Sequence, residues 1–259
     1  MADMQSLLEV MARLRDPNGG CPWDLEQTFA SLVPHTLEEA YEVADAVERA
    51  DWSHLPDELG DVLLQVVFYA QIGHEAGMFD FQAVVTRIHD KLVRRHPHVF
   101  GGAEVSSAEE QSRVWEAHKA AERSGDSYLA DVPRALPALQ RAGKLQGRAV
   151  KAGFEWPRDE DVFAKVDEEL NELRQEVDGS GSEERRRHEL GDLLFAAVGL
   201  AHRLGVDPEA ALRGANERFE ARFGHMEAAL HERGEAMSAQ DLEALQSLWQ
   251  AAKGGSHSD

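Results

Sequence analysis

The chain has 259 residues, of which 42% are hydrophobic, and it carries a formal net charge of −21. That length suits one large domain or two of ordinary size, and the apolar content excludes a chain that is disordered throughout. The negative charge argues against nucleic acid or an anionic membrane as the main partner, because both would be repelled. Cys21 is the only cysteine, which excludes disulfides within the chain and fits a reducing compartment.

The N-terminus does not have the pattern of a signal peptide, since Asp3 and Glu9 interrupt its apolar residues. No apolar run approaches the ~20 residues that a membrane span needs. We therefore expect a soluble, cytoplasmic protein that binds neither membranes nor nucleic acid.

Apolar residues at helical spacing predict that the first half of the chain is all helical. The predicted helices cover residues 3–15, 36–50, 57–75, 81–96 and 107–123, with a short helical stretch over 28–33. Pro34 is expected to end that stretch, and Thr36-Leu-Glu-Glu39 has the form of a capping box for the next helix. An irregular entry at Cys21–Asp24 and a loop over 96–102 complete this half. The apolar stripe of helix 57–75 is expected to face the core: Leu59, Val62, Leu63, Val66, Val67 and Ala70.

The second half repeats this order after a stretch rich in small residues and proline. We predict an N-terminal domain over 1–123, a linker over 124–136, a C-terminal domain over 137–253 and a tail over 254–259. The predicted helices of the C-terminal domain cover 137–151, 160–178, 183–204 and 238–252. A further predicted helix, before the last of these, begins at Asp207-Pro208. The irregular segment Gly153-Phe-Glu-Trp-Pro157 precedes the predicted helix over 160–178. The inward-facing residues of helix 183–204 are expected to be Leu190, Leu193, Leu194, Ala197, Val198 and Ala201.

An acidic pattern occurs once in each half. The first copy contains Glu38, Glu39, Glu42, Glu58 and Asp61, and the second contains Glu168, Glu169, Glu172, Glu189 and Asp192. Residues three or four apart share a helix face, so two adjacent helices would collect four carboxylates in each copy. Three further features recur in the same order: Lys91 and Arg95 match Arg218 and Arg222, Trp115 matches Trp249, and Lys119 matches Lys253. The chain therefore reads as two all-α units of about four main helices each, produced by duplication.

Carboxylates crowded in this way favour a hard divalent cation, which would relieve their mutual repulsion. All-oxygen ligands indicate Mg²⁺ or Mn²⁺, and no histidine follows a glutamate by three residues as a di-iron bundle requires. Two simpler explanations stay open: the acids form solvated helix faces, or, in the first copy, Glu39 is the partner of Thr36 in the capping box. Gly60 and Gly191 lie inside strongly apolar helices at a cost of ~1 kcal/mol each, which a close neighbouring helix or a ligand would explain.

Cations near the second copy suit a polyphosphate ligand. Lys165, Arg218, Arg222 and Lys253 would contact phosphate oxygens while metal ions neutralise charge at phosphorus. Trp249 either stacks on a nucleobase or is an ordinary core aromatic.

These features resemble the tandem-domain form of the MazG family of all-α nucleoside triphosphate pyrophosphohydrolases. The resemblance covers residues 5–253 and includes Cys21-Pro-Trp-Asp24, His35-Thr-Leu-Glu-Glu-Ala-Tyr-Glu42, Arg95-His-Pro-His-Val-Phe100 and Glu189-Leu-Gly-Asp-Leu-Leu-Phe195. It implies Mg²⁺-dependent hydrolysis of nucleoside triphosphates to monophosphate and pyrophosphate, with broad base tolerance, by homodimers that share helices between subunits.

The resemblance also implies which residues act. Glu169, Glu172, Glu189 and Asp192 would hold Mg²⁺, with Mn²⁺ as a substitute, and Glu39, Glu42, Glu58 and Asp61 form a second set. Glu168 would act as a base or orient the attacking water, and the nucleotide contacts would be Lys165, Glu168, Arg185, Arg218, Arg222, Trp249 and Lys253. The first copy has His35 in place of Lys165, which leaves its catalysis in question. The alternatives are a nucleotide-binding regulator without turnover and a hydrolase of another polyphosphorylated metabolite.

Overall fold

The computed structural model describes residues 3–102, 107, 110–111, 114–115, 127–179 and 181–255. All regular elements in these residues are helical, which confirms the all-α prediction. The chain divides into two compact units, residues 1–122 and 123–259. Lys119, most of the predicted helix over 107–123, the first residues of the predicted linker and the end of the predicted tail lie outside the described residues.

The first unit is arranged around one long helix. Its helices are α1 (Met4–Leu14), α2 (Pro22–Glu26), α3 (Val33–Glu48), α4 (Leu55–Glu75), α5 (Phe81–Arg95) and α6 (Pro97–Phe100). Helix α4 packs against α3, α1 and α5. The buried cluster at its centre consists of Met11, Leu32, Val67, Phe68 and Ile72.

Local structure before α3 differs from the prediction. Residues 28–32 form no helix, and α3 starts at Val33 with Pro34 in its first turn, where a proline costs no hydrogen bond. The Thr36 hydroxyl donates to the carbonyl of Leu32 (2.9 Å), one turn back. The predicted capping box is therefore wrong, and Glu39 has no capping role. Two segments predicted to be irregular, Cys21–Asp24 and 96–102, contain the short helices α2 and α6 instead.

A partly buried ion pair joins the ends of α1 and α4. The Arg15 guanidinium donates to both carboxylate oxygens of Glu75, with the closest contact at 2.6 Å, and to main-chain carbonyls of Asp24 and Gln27. Hydrogen bonding to Arg15 lowers the pKa of the Glu75 carboxyl below its usual value. Because these bonds reach three segments, Arg15 fixes the loop after α1 against the end of α4.

The described residues of the second unit form five helices and one short 3₁₀ turn. They are α7 (Ala138–Lys151), α8 (Asp159–Asp178), α9 (Glu183–Arg203), α10 (Pro208–Arg233), the turn Met237–Ala239 and α11 (Leu242–Gly255). Helix α9 packs mainly against α8 and also against α7, while α10 packs against α11 and α7. Helix α11 starts four residues later than predicted, because the Asp241 carboxylate accepts the backbone N–H of Ala244 and caps it there.

The apolar stripes of the two long helices are only partly covered. On α9, Leu190 and Leu194 are 48% and 51% exposed and Ala197 is exposed, whereas Val198 is buried. On α4, Leu59 and Val66 are exposed while Val67 is buried. The prediction that all of these residues face the core was therefore wrong for the exposed ones. An apolar stripe shows which face avoids water, and four helices of one unit cover only part of it.

Within the described residues, no helix combines the length and the apolar character required to cross a membrane.

Candidate metal centre

Helices α8 and α9 bring three of the four predicted metal ligands together. Carboxylate oxygens of Glu169, Glu172 and Glu189 lie within 4.8 Å of one another. Glu169 and Glu172 share a face of α8, and Glu189 lies opposite them in the second turn of α9. Asp192 belongs to a second group, with Glu189 and His188, whose ligand atoms also lie within 4.8 Å. The predicted set therefore forms two overlapping trios that share Glu189.

Lys165 is in direct contact with this acidic group. Its Nζ lies 2.7 Å from Oε1 of Glu169, which is buried, and 3.1 Å from Oε1 of Glu168, which is exposed. These two hydrogen bonds raise the pKa of the Lys165 ammonium above its ordinary value. The lysine thus holds one positive charge against a buried carboxylate one turn farther along α8.

The pKa of the Glu172 carboxyl reflects the negative charge that Lys165 does not neutralise. Loss of hydration, followed by the charges of Glu169, Glu189 and Glu168, raises the pKa of this carboxyl above the ordinary value. Lys165 acts in the opposite direction and does not cancel these effects. A divalent cation among these oxygens would remove the repulsion, and carboxylates are the ligands that Mg²⁺ and Mn²⁺ prefer.

The first unit has a corresponding centre with different surroundings. Ligand oxygens of Glu39, Glu58 and Asp61 lie within 4.8 Å of one another, on α3 and α4. Glu42 is outside this trio but hydrogen-bonds with Glu39. Burial, that hydrogen bond and the charge of Asp61 raise the pKa of the Glu39 carboxyl above its ordinary value.

His35 occupies the position that matches Lys165, and its contacts differ. Its Nδ1 lies 3.8 Å from Oε2 of Glu38, and its ring meets the Trp23 ring edge-on at 5.8 Å. The described ion pair of this histidine is thus with the exposed neighbour Glu38. No lysine contact like that of Lys165 with Glu169 is therefore present at His35 among the described residues.

The glycines of the two Glu-Leu-Gly-Asp segments face open space. A Cβ atom added at Gly60 or Gly191 would meet no described atom within 4 Å outside the local helix. Close approach of a neighbouring helix within the unit therefore does not explain either glycine. The other explanation, room for a ligand, stays a prediction.

A cleft of about 740 Å³ adjoins the second centre. Lys165, Glu169 and Asp192 line it together with the aromatic side chains of Phe154 and Trp156. We had not predicted a site role for these aromatics. The signal was the segment Gly153-Phe-Glu-Trp-Pro157, which placed two large aromatic residues before α8.

The predicted nucleotide-binding cations of α10 and α11 form a separate group. The Arg222 guanidinium lies 5.8 Å from the centroid of the Trp249 ring, and Phe219 contacts the same ring at 5.4 Å. Trp249 lines a different cleft of about 880 Å³, and Lys253 is half-buried one turn later on α11. Among the described residues, neither Arg218 nor Arg222 forms an ion pair with the carboxylates of α8 and α9.

An arginine lies over a tryptophan ring in both units, whereas Arg185 takes no part in such a contact among the described residues. In the first unit the Arg95 guanidinium lies 5.0 Å from the centroid of the Trp115 ring, as Arg222 lies over Trp249 in the second. Arg185, the remaining predicted nucleotide contact, is exposed and pairs with Glu176 at 3.2 Å. This contact does not connect Arg185 to either trio of metal-ligand candidates on α8 and α9.

Comparisons with known proteins match each unit to a family. Residues 27–100 match the MazG nucleotide pyrophosphohydrolase domain, and residues 151–219 match the phosphoribosyl-ATP pyrophosphohydrolase family. The nucleoside triphosphate pyrophosphohydrolase of Escherichia coli K12 is 48% identical over 260 residues, which cover 98% of each chain. The nucleoside triphosphate pyrophosphohydrolase/pyrophosphatase MazG of Thermotoga maritima is 41% identical over 253 residues, 97% of this chain and 96% of its own. An uncharacterized Bacillus subtilis protein is also 41% identical over 253 residues, which are 52% of its length.

Proposed function

Because this chain belongs to the MazG family of nucleotide pyrophosphohydrolases, we propose that it hydrolyses nucleoside triphosphates to monophosphate and pyrophosphate at the α8–α9 centre. The observation that carries the proposal is the trio of Glu169, Glu172 and Glu189 beside Lys165, at the edge of a cleft wide enough for a nucleoside. Carboxylates alone would repel a triphosphate. Metal ions and the lysine are what make the site suitable for one.

We propose Mg²⁺ as the cofactor, held by Glu169, Glu172, Glu189 and Asp192, with Mn²⁺ as a substitute. The donor set fits, because it consists of carboxylate oxygens that face each other across two helices. The raised pKa of Glu172 supports the same assignment, since uncompensated negative charge causes part of it. Bound there, the ion supplies an acidified water and neutralises charge that develops on the phosphates.

The protein's own side chains would act around that ion. Lys165 would transfer its hydrogen bonds from Glu169 and Glu168 to phosphate oxygens, which also frees the Glu169 carboxylate. Glu168 would then be free to accept a proton from the attacking water or to orient it. Attack at the α-phosphorus releases pyrophosphate, and its leaving oxygen is among those that a lysine can stabilise.

Stacking in the cleft would account for broad base tolerance. Phe154 and Trp156 are exposed aromatics beside Lys165 and Glu169. Every nucleobase has a flat face, so stacking on aromatic rings distinguishes poorly between bases. A site of this kind suits an enzyme that clears or balances nucleotide pools.

We propose that the working form is a homodimer. Phe163, Leu190, Leu194 and Phe219 lie about half exposed on α8, α9 and α10, which a second copy would cover. A partner's α10 and α11 would also provide the cations Arg218, Arg222 and Lys253 and the ring of Trp249 to the nucleotide. Light scattering should give a mass of twice 28.7 kDa, and Leu194→Glu should halve it. A monomeric mass for the unaltered protein would exclude this assembly.

The decisive experiment is product analysis. Incubation with each of the common ribo- and deoxyribonucleoside triphosphates and Mg²⁺ should release pyrophosphate and monophosphate in equal amounts, and a chelator should stop the release. Orthophosphate with the diphosphate as products would contradict attack at the α-phosphorus. Full activity in the chelator would contradict the metal.

A further inference from the structure

A histidine completes the second trio on α9. Nδ1 of His188 lies 3.0 Å from Oδ2 of Asp192 and 3.7 Å from Oε1 of Glu189. One ligand atom from each of the three residues lies within 4.8 Å of the others. His188, Glu189 and Asp192 are spaced i, i+1 and i+4, so a single helical turn positions all three.

A contact between an exposed histidine and an aspartate would not by itself indicate a site, because exposed ion pairs are common and contribute little to stability. Glu189 makes this group different. Its side chain is only 20% exposed, and its carboxylate belongs to the Glu169–Glu172 trio as well. An ion next to His188 would therefore share a carboxylate with the proposed Mg²⁺ centre.

The ligand chemistry differs between the two trios. Mg²⁺ prefers oxygen ligands, whereas an imidazole nitrogen favours late first-row ions such as Co²⁺ and Zn²⁺. The first unit has Asp57 at the position that matches His188, and its trio of Glu39, Glu58 and Asp61 contains only oxygen ligands. The nitrogen ligand is thus a feature of the second unit.

We propose that His188, Glu189 and Asp192 bind a late first-row divalent cation, with Zn²⁺ preferred over Mg²⁺, at a site that overlaps the Mg²⁺ centre. Imidazole nitrogen and carboxylate oxygen are both ligands that Zn²⁺ takes in proteins, and water would complete a four-coordinate shell. Occupation by Zn²⁺ removes Glu189 and Asp192 from the Mg²⁺ set and therefore inhibits hydrolysis. The inhibition rests on the proposed function, whereas the binding of Zn²⁺ does not.

Metal titration of the full chain tests the site without any substrate. Zn²⁺ affinity is measured by competition with a chromogenic chelator for the unaltered protein, His188→Ala and His225→Ala, the last removing an exposed histidine of α10 as a control. We expect His188→Ala to weaken Zn²⁺ binding about 10- to 100-fold, as loss of one metal-binding partner does. His225→Ala should leave it unchanged, and Mg²⁺ affinity should be equal in all three proteins. The visible absorption band of bound Co²⁺ should change only in His188→Ala.

Three results would overturn the proposal: equal Zn²⁺ affinity with and without His188, an equal loss in His225→Ala, or a parallel loss of Mg²⁺ affinity in His188→Ala. The last would mean that His188 only holds Asp192 in position. In the activity assay, Zn²⁺ added to excess Mg²⁺ should inhibit the unaltered enzyme at a concentration at least tenfold lower than it inhibits His188→Ala. Absence of pyrophosphate from every protein would instead refute the proposed function, and the affinities would still decide on the site.

Discussion

In the C-terminal unit Lys165 contacts the buried Glu169 at 2.7 Å, whereas in the N-terminal unit the matching His35 lies 3.8 Å from the exposed Glu38. Both units keep a trio of carboxylates on two adjacent helices. The two units therefore have similar sets of carboxylates for a metal ion. They differ in the positively charged side chain that the protein places beside those carboxylates. A metal alone can satisfy the N-terminal acids, while the C-terminal acids already share a lysine that a triphosphate would attract. This difference separates a centre suited to metal from a centre suited to metal and nucleotide together.

The largest expected effect comes from removing one carboxylate in each unit. Glu172→Ala should lower the turnover number for nucleoside triphosphates on the order of 10³-fold, because it deletes a member of the trio that we propose holds the metal. Glu42→Ala, the matched change in the first unit, should alter it less than about twofold. Steady-state pyrophosphate release measures both. Equal losses would show that the two centres work as one.

Substitutions at the matched residues Lys165 and His35 test this difference between the units directly. Lys165→Met should reduce kcat/KM about 10- to 100-fold, since one charge-assisted hydrogen bond to phosphate contributes about 1.5–3 kcal/mol. Without nucleotide, the same change should strengthen Mg²⁺ binding to the second unit, because the ammonium no longer competes for Glu169. His35→Lys should do the reverse and weaken Mg²⁺ binding to the first unit. Calorimetric Mg²⁺ titration of both variants checks this, and a change of the same sign in both would contradict the role given to the lysine.

One ion pair in each unit provides a further comparison, and the two should differ in strength. Glu75→Gln leaves the Arg15 guanidinium buried without its partner and should lower the free energy of unfolding by about 2 kcal/mol, discounted because Glu75 is one-third exposed. In the second unit Arg203 pairs with Glu155 and Asp159, which are about half exposed or more. Arg203→Met should therefore cost less stability than Glu75→Gln, because solvent screens an exposed pair. Urea unfolding measures both changes, and a larger loss for Arg203→Met would reverse the ranking.

The smallest expected effect is a pH dependence confined to the first unit. Arg15 lowers the pKa of Glu75 in the folded protein, so the pair stabilises the fold fully above pH 4.5, the ordinary value. This contribution is lost as the pH falls from there through the lowered pKa. The urea midpoint of the unaltered protein should thus fall more steeply below pH 4.5 than that of Glu75→Gln. Parallel curves for the two proteins would mean that Glu75 titrates alike in the folded and unfolded chains.

Much of the fold follows from the sequence because long amphipathic helices repeat their apolar residues every three or four positions. The boundaries of α8 and α9 agree with the prediction within a residue or so. The start of α3 does not, since a proline reads equally well as the end of one helix or the first turn of the next. The exposed Leu190 and Leu194 could not be foreseen either. Periodicity identifies an apolar face and does not say whether the same chain or another covers it.

The candidate site was predictable where it depends on spacing within one helix. Glu169 and Glu172 had to share a face of α8, and Lys165 had to reach Glu169 one turn later. The contact between His188 and Asp192 obeys the same rule. The sequence analysis does not predict it, because the di-iron pattern requires a histidine three residues after a glutamate, whereas His188 precedes both Glu189 and Asp192. The positions of Arg218 and Trp249 relative to the acids depend on packing between helices, which spacing alone does not provide.

The open space beside Gly60 and Gly191 has a consequence for how rigid these helices are. Alanine would fit at either position without a clash in the single chain, and it would gain about 1 kcal/mol of helix stability. Helices α4 and α9 are therefore each weaker than they need to be at the turn that carries the proposed metal-binding acids. A helix with spare conformational freedom there can adjust the two carboxylates on either side of the glycine to an ion of a given radius. At Gly60 and Gly191 an added methyl group would stabilise the helix and reduce this freedom. Stability of the fold and adaptability of the site are therefore opposed at these two positions.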